Sequence, residues 1–226
     1  MTNKIAVVLL SGGLDSCVAS TMKAKECGTQ VYLLSVDYES APSLKEEKSR
    51  TRIAHFLMDK FHNVKMFEKV QLKGYMRLRT LEKRGLLPQG YPFTRDESFM
   101  LLAASWLERL LMDSEGYNEG EVVIGTTRED TLNFEDIRPE IYTHINAILS
   151  MKYCTKWGKE MKVDLPLLGF MKHEIVKKGI EMGAPLEYTW SCYFGEEAPC
   201  ASCDQCGWRK EAFEKAKVKD PILLGS

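Results

Sequence analysis

The apolar run Ile5-Ala6-Val7-Val8-Leu9-Leu10 leads directly into the stretch Ser11-Gly12-Gly13-Leu14-Asp15-Ser16. A buried strand that enters a glycine-rich turn and then a helix can form an anion site. Glycines let backbone N–H groups close on a phosphate, and the helix N-terminus adds partial positive charge. The Asp15 carboxylate could hold Mg²⁺. The sequence therefore predicts a phosphate site here, and the alternative is a strand, turn and helix that bind nothing. The stretch is not a Walker A loop, because no Gly-Lys-Ser/Thr follows it.

The length and charge of the chain limit its class. Its 226 residues are enough for one domain with its own core and a small appendage. The net charge of −1 gives no overall basic field, which disfavours a tRNA or DNA substrate but leaves room for a local basic patch. The first apolar run is too short for a signal peptide, and no run is long enough to span a membrane. We expect a cytoplasmic protein.

The periodicity of apolar residues predicts a doubly wound α/β domain with a mainly parallel sheet. Residues 31–36 form a second apolar run, and the segment 17–27 between the two runs suits a helix, so the spacing predicts a parallel βαβ unit. Further strands are predicted at 64–70 and 121–125. Further helices are predicted at 45–61, 97–112, 138–153, 172–182 and 207–217, and residues 71–94 are predicted to form an irregular insertion.

The seven cysteines are unevenly distributed along the chain. Four of them crowd near the C-terminus with the spacing Cys-x₇-Cys-x₂-Cys-x₂-Cys, namely Cys192, Cys200, Cys203 and Cys206. In a reducing compartment this clustering favours metal over disulfides. Four thiolates close a tetrahedral shell around Zn²⁺ and so predict a structural zinc site. An iron–sulfur cluster and free buried cysteines are the alternatives. We expect residues 1–186 to form the main domain and 187–226 a small zinc-bound lobe packed on it.

Polar or glycine residues follow several predicted strands. Asp37 and Tyr38 come directly after the second strand, and Gly125 ends the fourth. Ligands of doubly wound sheets bind beyond the carboxyl ends of the strands. We therefore expect these residues to lie near the 11–16 loop.

Two motifs together carry a family resemblance. The 11–16 loop resembles the Ser-Gly-Gly-x-Asp-Ser loop of the ATP pyrophosphatase (PP-loop) superfamily, whose enzymes split ATP into AMP and pyrophosphate. With the cysteine set, the chain resembles the 7-cyano-7-deazaguanine synthase (QueC) family nearly end to end. Further matching segments are Ser191-Cys192-Tyr193-Phe194-Gly195, Tyr91-Pro92-Phe93-Thr94-Arg95, Asp136-Ile137-Arg138-Pro139-Glu140, and Lys172 after Leu165-Pro166-Leu167.

The resemblance implies a fold like that of adenine nucleotide α-hydrolases and an ATP-dependent C–N ligase. The carboxylate of 7-carboxy-7-deazaguanine would be adenylated with release of pyrophosphate, and ammonia would then give an amide. A second ATP would convert the amide into the nitrile. ATP, Mg²⁺ and Zn²⁺ are the implied cofactors, and a homodimer is expected.

The resemblance also implies roles for particular residues. It assigns nucleotide binding to Ser11, Gly12, Gly13, Leu14, Asp15, Ser16, Asp37 and Gly125. It assigns catalysis to Asp15, Arg95 and Lys172. The side chains of Arg95 and Lys172 are cations that could stabilise phosphate charge, although either could instead belong to a solvated face. It assigns substrate binding to Tyr38, Arg95, Asp130, Asp136 and Arg138. Asp136 could alternatively pair with Arg138 or cap a helix.

Departures from the family pattern concern the substrate side. The chain reads Glu39-Ser40-Ala41-Pro42 where the family has an Asn-Gln-Arg-His-like run, Leu132-Asn133-Phe134-Glu135 where it has Ser-Gly-Tyr-Pro, and Asp96 where it has asparagine. QueC-like proteins of anti-phage (CBASS-type) operons are thought to join a deazaguanine to a protein partner, so a protein acceptor is one alternative. A PP-loop tRNA-modifying enzyme and a non-catalytic nucleotide-binding scaffold are others.

Overall fold

The computed structural model describes residues 3–38, 43–73, 94–134, 137–194 and 197–224. Most of the predicted insertion at 71–94 lies outside these residues, as do the divergent segment 39–42 and Asp136.

Five strands form one parallel sheet, in agreement with the predicted fold class. They are β1 Lys4–Leu9, β2 Thr29–Asp37, β3 Val64–Gln71, β4 Glu119–Val123 and β5 Glu160–Asp164, and their order is β3-β2-β1-β4-β5. Strands β1 and β2 are the continuous apolar runs of the sequence, as expected for parallel strands covered on both faces. Strand β5 was not predicted. It is a short edge strand whose buried residues, Met161 and Val163, alternate with exposed ones.

Seven α-helices connect and cover the strands in the described part of the chain. They are α1 Leu14–Ala24, α2 Ser43–Lys60, α3 Arg95–Asp113, α4 Arg128–Asn133, α5 Pro139–Leu149, α6 Lys172–Met182 and α7 Asp204–Ala216. Short 3-10 turns follow at Tyr153–Trp157, Leu186–Tyr188 and Pro221–Leu224. Helix α1 begins three residues before the predicted start, because extended Gly13 is its N-cap. The predicted helix 138–153 ends at Leu149, and a 3-10 turn takes up its last residues.

The sheet has a hydrophobic core on each face. Residues of α1, α2, α6 and α7 pack on one face, and residues of α3 and α5 pack on the other. Helix α7 of the cysteine-rich segment buries Ala212 and Phe213 in the first core. The division of the chain at residue 186 stays a prediction. No helix in the described ranges combines the length and apolar character of a membrane span.

The strand order places the glycine-rich loop at the switch point of the sheet. From β1 the chain proceeds to β2 and β3 on one side, and then crosses to β4 and β5 on the other. The connections that leave the carboxyl ends of the neighbouring strands β1 and β4 therefore run in opposite directions, which opens a crevice between those ends. Residues 11–16 follow β1 and therefore lie at the mouth of this crevice.

A buried charge cluster fixes β4 against α1. Glu121 is 2% exposed, and its two oxygens lie 2.6 Å from Lys23 Nζ and 3.0 Å from Lys4 Nζ. Lys23 Nζ also lies 2.7 Å from Asp164 Oδ2 on β5. Because the charges are paired with hydrogen-bonding geometry, the cluster can remain ionised inside the fold.

We expect Glu121→Ala to lower the free energy of unfolding by about 3 kcal/mol, because it leaves the buried Lys23 and half-buried Lys4 ammonium groups with fewer partners. The matched control is Lys162→Ala. Lys162 also contacts Glu121, at 3.5 Å, but its side chain is 60% exposed, so its loss is expected to cost about 0.5 kcal/mol or less. Chemical denaturation of both variants measures the difference, and equal effects would contradict the prediction.

Acidification tests whether the charge of the Glu121 carboxylate causes its stabilising effect. Burial alone would raise the pKa of the Glu121 carboxyl, but hydrogen bonds from Lys23 and Lys4 lower it below its usual 4.5. Its stabilisation is therefore complete above the unfolded pKa and is lost as the pH falls through the folded pKa. The gap between wild type and Glu121→Ala should be largest near neutral pH and shrink below about pH 4.

Candidate active site

Two serine hydroxyls tie the glycine-rich loop together. Ser16 Oγ lies 2.9 Å from Ser11 Oγ, accepts the Ser11 N–H at 3.2 Å and donates to the Gly13 carbonyl at 3.2 Å. The Gly13 N–H donates to Ser11 Oγ at 3.2 Å on the exposed side of the loop. The hydroxyls thus shape the loop and leave its backbone donor at the surface of the crevice.

Two glycines allow other elements to approach this loop closely. Gly12 has φ +89°, and a Cβ there would lie 3.0 Å from the Glu46 carbonyl oxygen of α2. At Gly125, just beyond β4, a Cβ would lie 3.0 Å from the Asp15 carbonyl carbon and the Ser16 nitrogen. Such contacts are tighter than most real Cβ contacts, so a larger residue would displace the loop or its neighbour by a few tenths of an ångström. Gly125 therefore supports the loop by close backbone contact.

Lys172 joins the loop to α4, the helix that follows β4. Its Nζ lies 3.3 Å from Asp15 Oδ2 and 3.4 Å from Asp130 Oδ1, and the side chain is 11% exposed. The other Asp130 oxygen accepts the N–H and hydroxyl of Thr127, both at 2.9 Å, in the capping box of α4. Glu129 Oε2 accepts the Lys172 backbone N–H at 3.1 Å. The fold thus brings Asp15, Asp130 and Lys172 together, although they lie far apart in sequence.

The electrostatics of this triad keep the lysine charged. Burial alone would lower the pKa of Lys172, but the carboxylates of Asp15 and Asp130 raise it above its usual range. Burial raises the pKa of Asp15, Lys172 opposes that rise and Asp130 adds to it. Asp15 Oδ1 is buried and has no hydrogen-bond partner. An unpaired carboxylate oxygen at a phosphate loop suits a hard divalent cation such as Mg²⁺.

Arg95 and Tyr38 form a second group, beyond β2. Arg95 Nη1 donates to the Tyr38 hydroxyl at 3.3 Å, and Arg95 Nε donates to Asp96 Oδ1 at 2.9 Å. The Tyr38 ring packs against Phe99, with the ring centroids 5.4 Å apart. Asp96 is the departure from the family pattern, and its carboxylate partly neutralises the arginine. The Asp37 carbonyl accepts the Leu72 N–H at 2.7 Å, which holds the end of β2.

Tyr142 lies between the two groups and was missed by the sequence analysis. Its hydroxyl lies 2.9 Å from Thr126 Oγ1. Burial raises its pKa to about 12, the Thr126 hydrogen bond opposes this, and the charges of Asp96 and Asp130 add to it. A carboxylate from each group therefore affects the pKa of the Tyr142 hydroxyl. Tyr142 sits within an ordinary helical pattern, and no local motif marks it.

A cavity of about 290 Å³ opens beside Lys172. Asp130, Leu132 and Trp208 are among its lining residues. The Trp208 ring packs edge-on against Phe134 at 5.7 Å between centroids, and Lys172 Nζ lies 5.7 Å from the Trp208 ring centroid. The cavity thus offers an aromatic wall and a cation next to the loop.

Arg138 is the remaining predicted substrate residue within the part of the chain that the structure describes. Arg138 is exposed and occupies the N-cap position of α5. Asp136, its possible partner, lies outside the described residues. Substrate binding by these two residues therefore stays a prediction, and so does the alternative in which Asp136 pairs with Arg138 or caps a helix.

The four C-terminal cysteines come together as predicted. The sulfur atoms of Cys192, Cys200, Cys203 and Cys206 all lie within 4.8 Å of one another. Cys192 Sγ accepts the N–H groups of Cys200, at 3.2 Å, and of Phe194, at 3.4 Å. Tetrahedral Zn²⁺ with Zn–S bonds of about 2.3 Å requires sulfurs at this kind of separation. The donor set fits a single zinc ion.

Comparisons with known proteins identify the family of the chain. The family model described as queuosine biosynthesis protein QueC matches residues 5–217. The 7-cyano-7-deazaguanine synthase of Thermoplasma volcanium is 36% identical, over 97% of this chain and 90% of its own. That of Acidobacterium capsulatum is 32% identical, over 96% and 95%. A crystal structure titled as a predicted subunit of tRNA methyltransferase from Methanocaldococcus jannaschii aligns with a TM-score of 0.40 and 16% identity, over 79% of this chain and 75% of that one.

The matched span contains the glycine-rich loop, Lys172 and the four cysteines, and the relatives are aligned over nearly their whole length. The chain therefore belongs to the QueC family of enzymes.

Proposed function

We propose that the protein is an ATP-dependent ligase that adenylates the carboxylate of 7-carboxy-7-deazaguanine, transfers the acyl group to ammonia and then forms 7-cyano-7-deazaguanine. The observation that carries the proposal is the position of Lys172. One ammonium group contacts Asp15 of the phosphate loop and Asp130 of α4, and it also borders the cavity. A cation in that place could act on the nucleotide and on the acceptor together.

The loop supports the ATP part of the proposal. A phosphate oxygen can replace the Ser11 hydroxyl as acceptor of the Gly13 N–H, because that bond lies on the exposed side. Asp15 is the residue that would hold Mg²⁺ through its unpaired Oδ1. When bound, the ion would neutralise phosphate charge. Asp37 and Gly125 complete the proposed nucleotide site, Asp37 from the end of β2 and Gly125 by its contact with the loop.

The first reaction makes an acyl-adenylate. An oxygen of the substrate carboxylate donates an electron pair to the α-phosphorus, and the bond from that phosphorus to the pyrophosphate oxygen breaks. Negative charge develops on the phosphoryl oxygens. Lys172 stays protonated and Arg95 is a permanent cation, so both can stabilise that charge. Asp15 and Asp130 fix the direction of the lysine side chain by their ion pairs.

The second and third reactions use the activated carbonyl. The nitrogen of ammonia attacks the acyl carbon, AMP leaves and an amide forms with loss of a proton. The amide oxygen then attacks the α-phosphorus of a second ATP with release of pyrophosphate, and loss of AMP and two N–H protons leaves the nitrile. The carboxylate of Asp130 could accept N–H groups of the ring, and the Trp208 wall of the cavity could stack on it.

A protein amine is a second candidate acceptor. The departures at residues 39–42 and 132–135 favour it, because they change the substrate side while the ATP loop is retained. Leu132, which borders the cavity, is 69% exposed and gives that entrance an apolar rim. A cytoplasmic location and a homodimer belong to this proposal as well and rest on the family resemblance.

Product analysis tests the proposal directly. With Mg-ATP, 7-carboxy-7-deazaguanine and ammonia, we expect AMP, pyrophosphate and a nitrile product by mass spectrometry. Replacing ammonia with candidate acceptor proteins tests the second acceptor, for which a protein mass increase is expected. Absence of AMP under every condition would refute both functions.

Lys172→Met should lower kcat/KM for pyrophosphate release by about 10²- to 10³-fold, because it removes the cation that stabilises developing phosphate charge and leaves two carboxylates facing each other. The control is Lys177→Met, an exposed lysine on the same helix. It should behave as wild type. Equal rates in the two variants would contradict the role given to Lys172.

Gly125→Ala should raise KM for ATP about tenfold or more, because its Cβ would meet backbone atoms of Asp15 and Ser16 that cannot swing aside. Gly169→Ala is the matched control, since a Cβ there has nothing within 4 Å. Initial-rate kinetics in ATP distinguish the two. An unchanged KM in a folded Gly125→Ala protein would show that the loop tolerates displacement.

A further inference from the structure

The cysteine-rich segment reaches the phosphate loop through one backbone hydrogen bond. The Trp190 N–H donates to the Gly12 carbonyl at 2.9 Å. The Trp190 carbonyl oxygen lies 3.9 Å from the Cβ position of Gly13, and the Pro185 carbonyl lies 3.9 Å from Cys17 Sγ. Residues 185–190 therefore run along the loop and the start of α1. Gly12 has a positive φ, and this bond helps to fix the direction of its carbonyl group.

The same tryptophan is tied to the metal-ligating set. Its indole Nε1–H donates to the Cys192 carbonyl at 2.9 Å, and Trp190 is only 9% exposed. Only one residue separates it from Cys192. A metal ion that fixes Cys192 among the other three sulfurs would therefore also fix Trp190.

A buried arginine holds the residues on both sides of Trp190. Arg209 Nη1 donates to Thr189 Oγ1 at 2.8 Å and to Ser191 Oγ at 3.4 Å. The rest of its guanidinium forms a bidentate pair with Asp220, at 2.6 and 2.9 Å. Arg209 lies on α7, three residues after Cys206. The helix that carries a cysteine ligand thus also anchors the segment that touches the loop.

We propose that Trp190 is a positioning residue through which metal occupancy of the four cysteines sets the affinity of the phosphate loop for nucleotide. The inference rests on the proposed function only in taking ATP as the nucleotide. A loop whose backbone is fixed in advance loses less conformational freedom on binding, and so it binds more tightly. Without the ion, Cys192 and Trp190 lose their common anchor and the Gly12 carbonyl is free to turn.

The first test compares the full-length protein with and without zinc. Zinc is removed with a chelator, its content is measured by mass spectrometry, and binding of Mg-ATP is measured by calorimetry without the deazaguanine. We expect Kd to rise about tenfold on zinc removal and to recover when zinc is restored. Equal Kd values would overturn the inference alone. A zinc-loaded protein that binds no Mg-ATP would overturn both the inference and the proposed function.

Two variants test the same link with the cysteines intact. Trp190→Phe keeps the backbone N–H and the aromatic packing but loses the indole hydrogen bond to Cys192. Arg209→Lys keeps the charge but loses the bidentate pair. We expect both to retain full zinc and to raise Kd and KM for ATP severalfold, with less effect on kcat. Trp157→Phe, at a tryptophan 63% exposed, is the matched control and should bind as wild type.

A purely structural role for the lobe would give a different pattern. The variants would then lose thermal stability or zinc, while Kd for Mg-ATP of the folded protein would stay at the wild-type value. Trp190→Phe with full zinc and an unchanged Kd would therefore overturn the inference.

Discussion

The glycine-rich loop after β1 is held by close contacts on three sides, and the site is arranged around it. Helix α2 approaches at Gly12, the end of β4 approaches at Gly125, and the segment before Cys192 donates a hydrogen bond from Trp190. Each contact brings backbone atoms of the loop nearly to van der Waals distance of an element that is distant in sequence. The loop can present its N–H groups in one direction because it cannot move independently of these elements. The parallel sheet makes this possible by opening a crevice at the carboxyl end of β1.

Much of this arrangement could be predicted from local sequence. Strands β1 and β2 are continuous apolar runs. The 11–16 stretch and the four cysteines are motifs whose residue types and spacing indicate a phosphate site and a metal site. Strand β5 was missed because only two of its five residues are well buried, and α4 because six residues are too few for a clear helical period. Tyr142 was missed for another reason. The Tyr142 hydroxyl contacts Thr126, and two carboxylates on other elements raise its pKa. These groups come close to Tyr142 only in the folded chain.

The sequence also did not show which carboxylates pair with Lys172 and Arg95. Lys172 and Arg95 could each have belonged to a solvated face, but both are held by carboxylates, Lys172 by Asp15 and Asp130 and Arg95 by Asp96. Local helix geometry explains part of this, since Asp130 faces Lys172 with the oxygen that its capping box leaves over. The aspartate of the capping box thereby also orients Lys172, the lysine proposed to be catalytic. Sequence patterns do not show that a lysine from a distant strand–helix connection faces this cap.

The charges of the site also bear on the form in which ATP binds. Asp15, Asp96 and Asp130 contribute three negative charges when ionised, whereas Lys172 and Arg95 contribute two positive ones, so these five groups together carry about one negative charge. Free ATP, itself a polyanion, would gain little from such a set. A divalent cation changes the balance, because it adds two positive charges where Asp15 has an unpaired oxygen. The substitution of Asp96 for asparagine makes this requirement stronger, since it removes much of the field of Arg95. Under the proposed function, dependence on the magnesium complex of ATP would therefore follow from the ion pairs of the protein as well as from the chemistry of phosphoryl transfer.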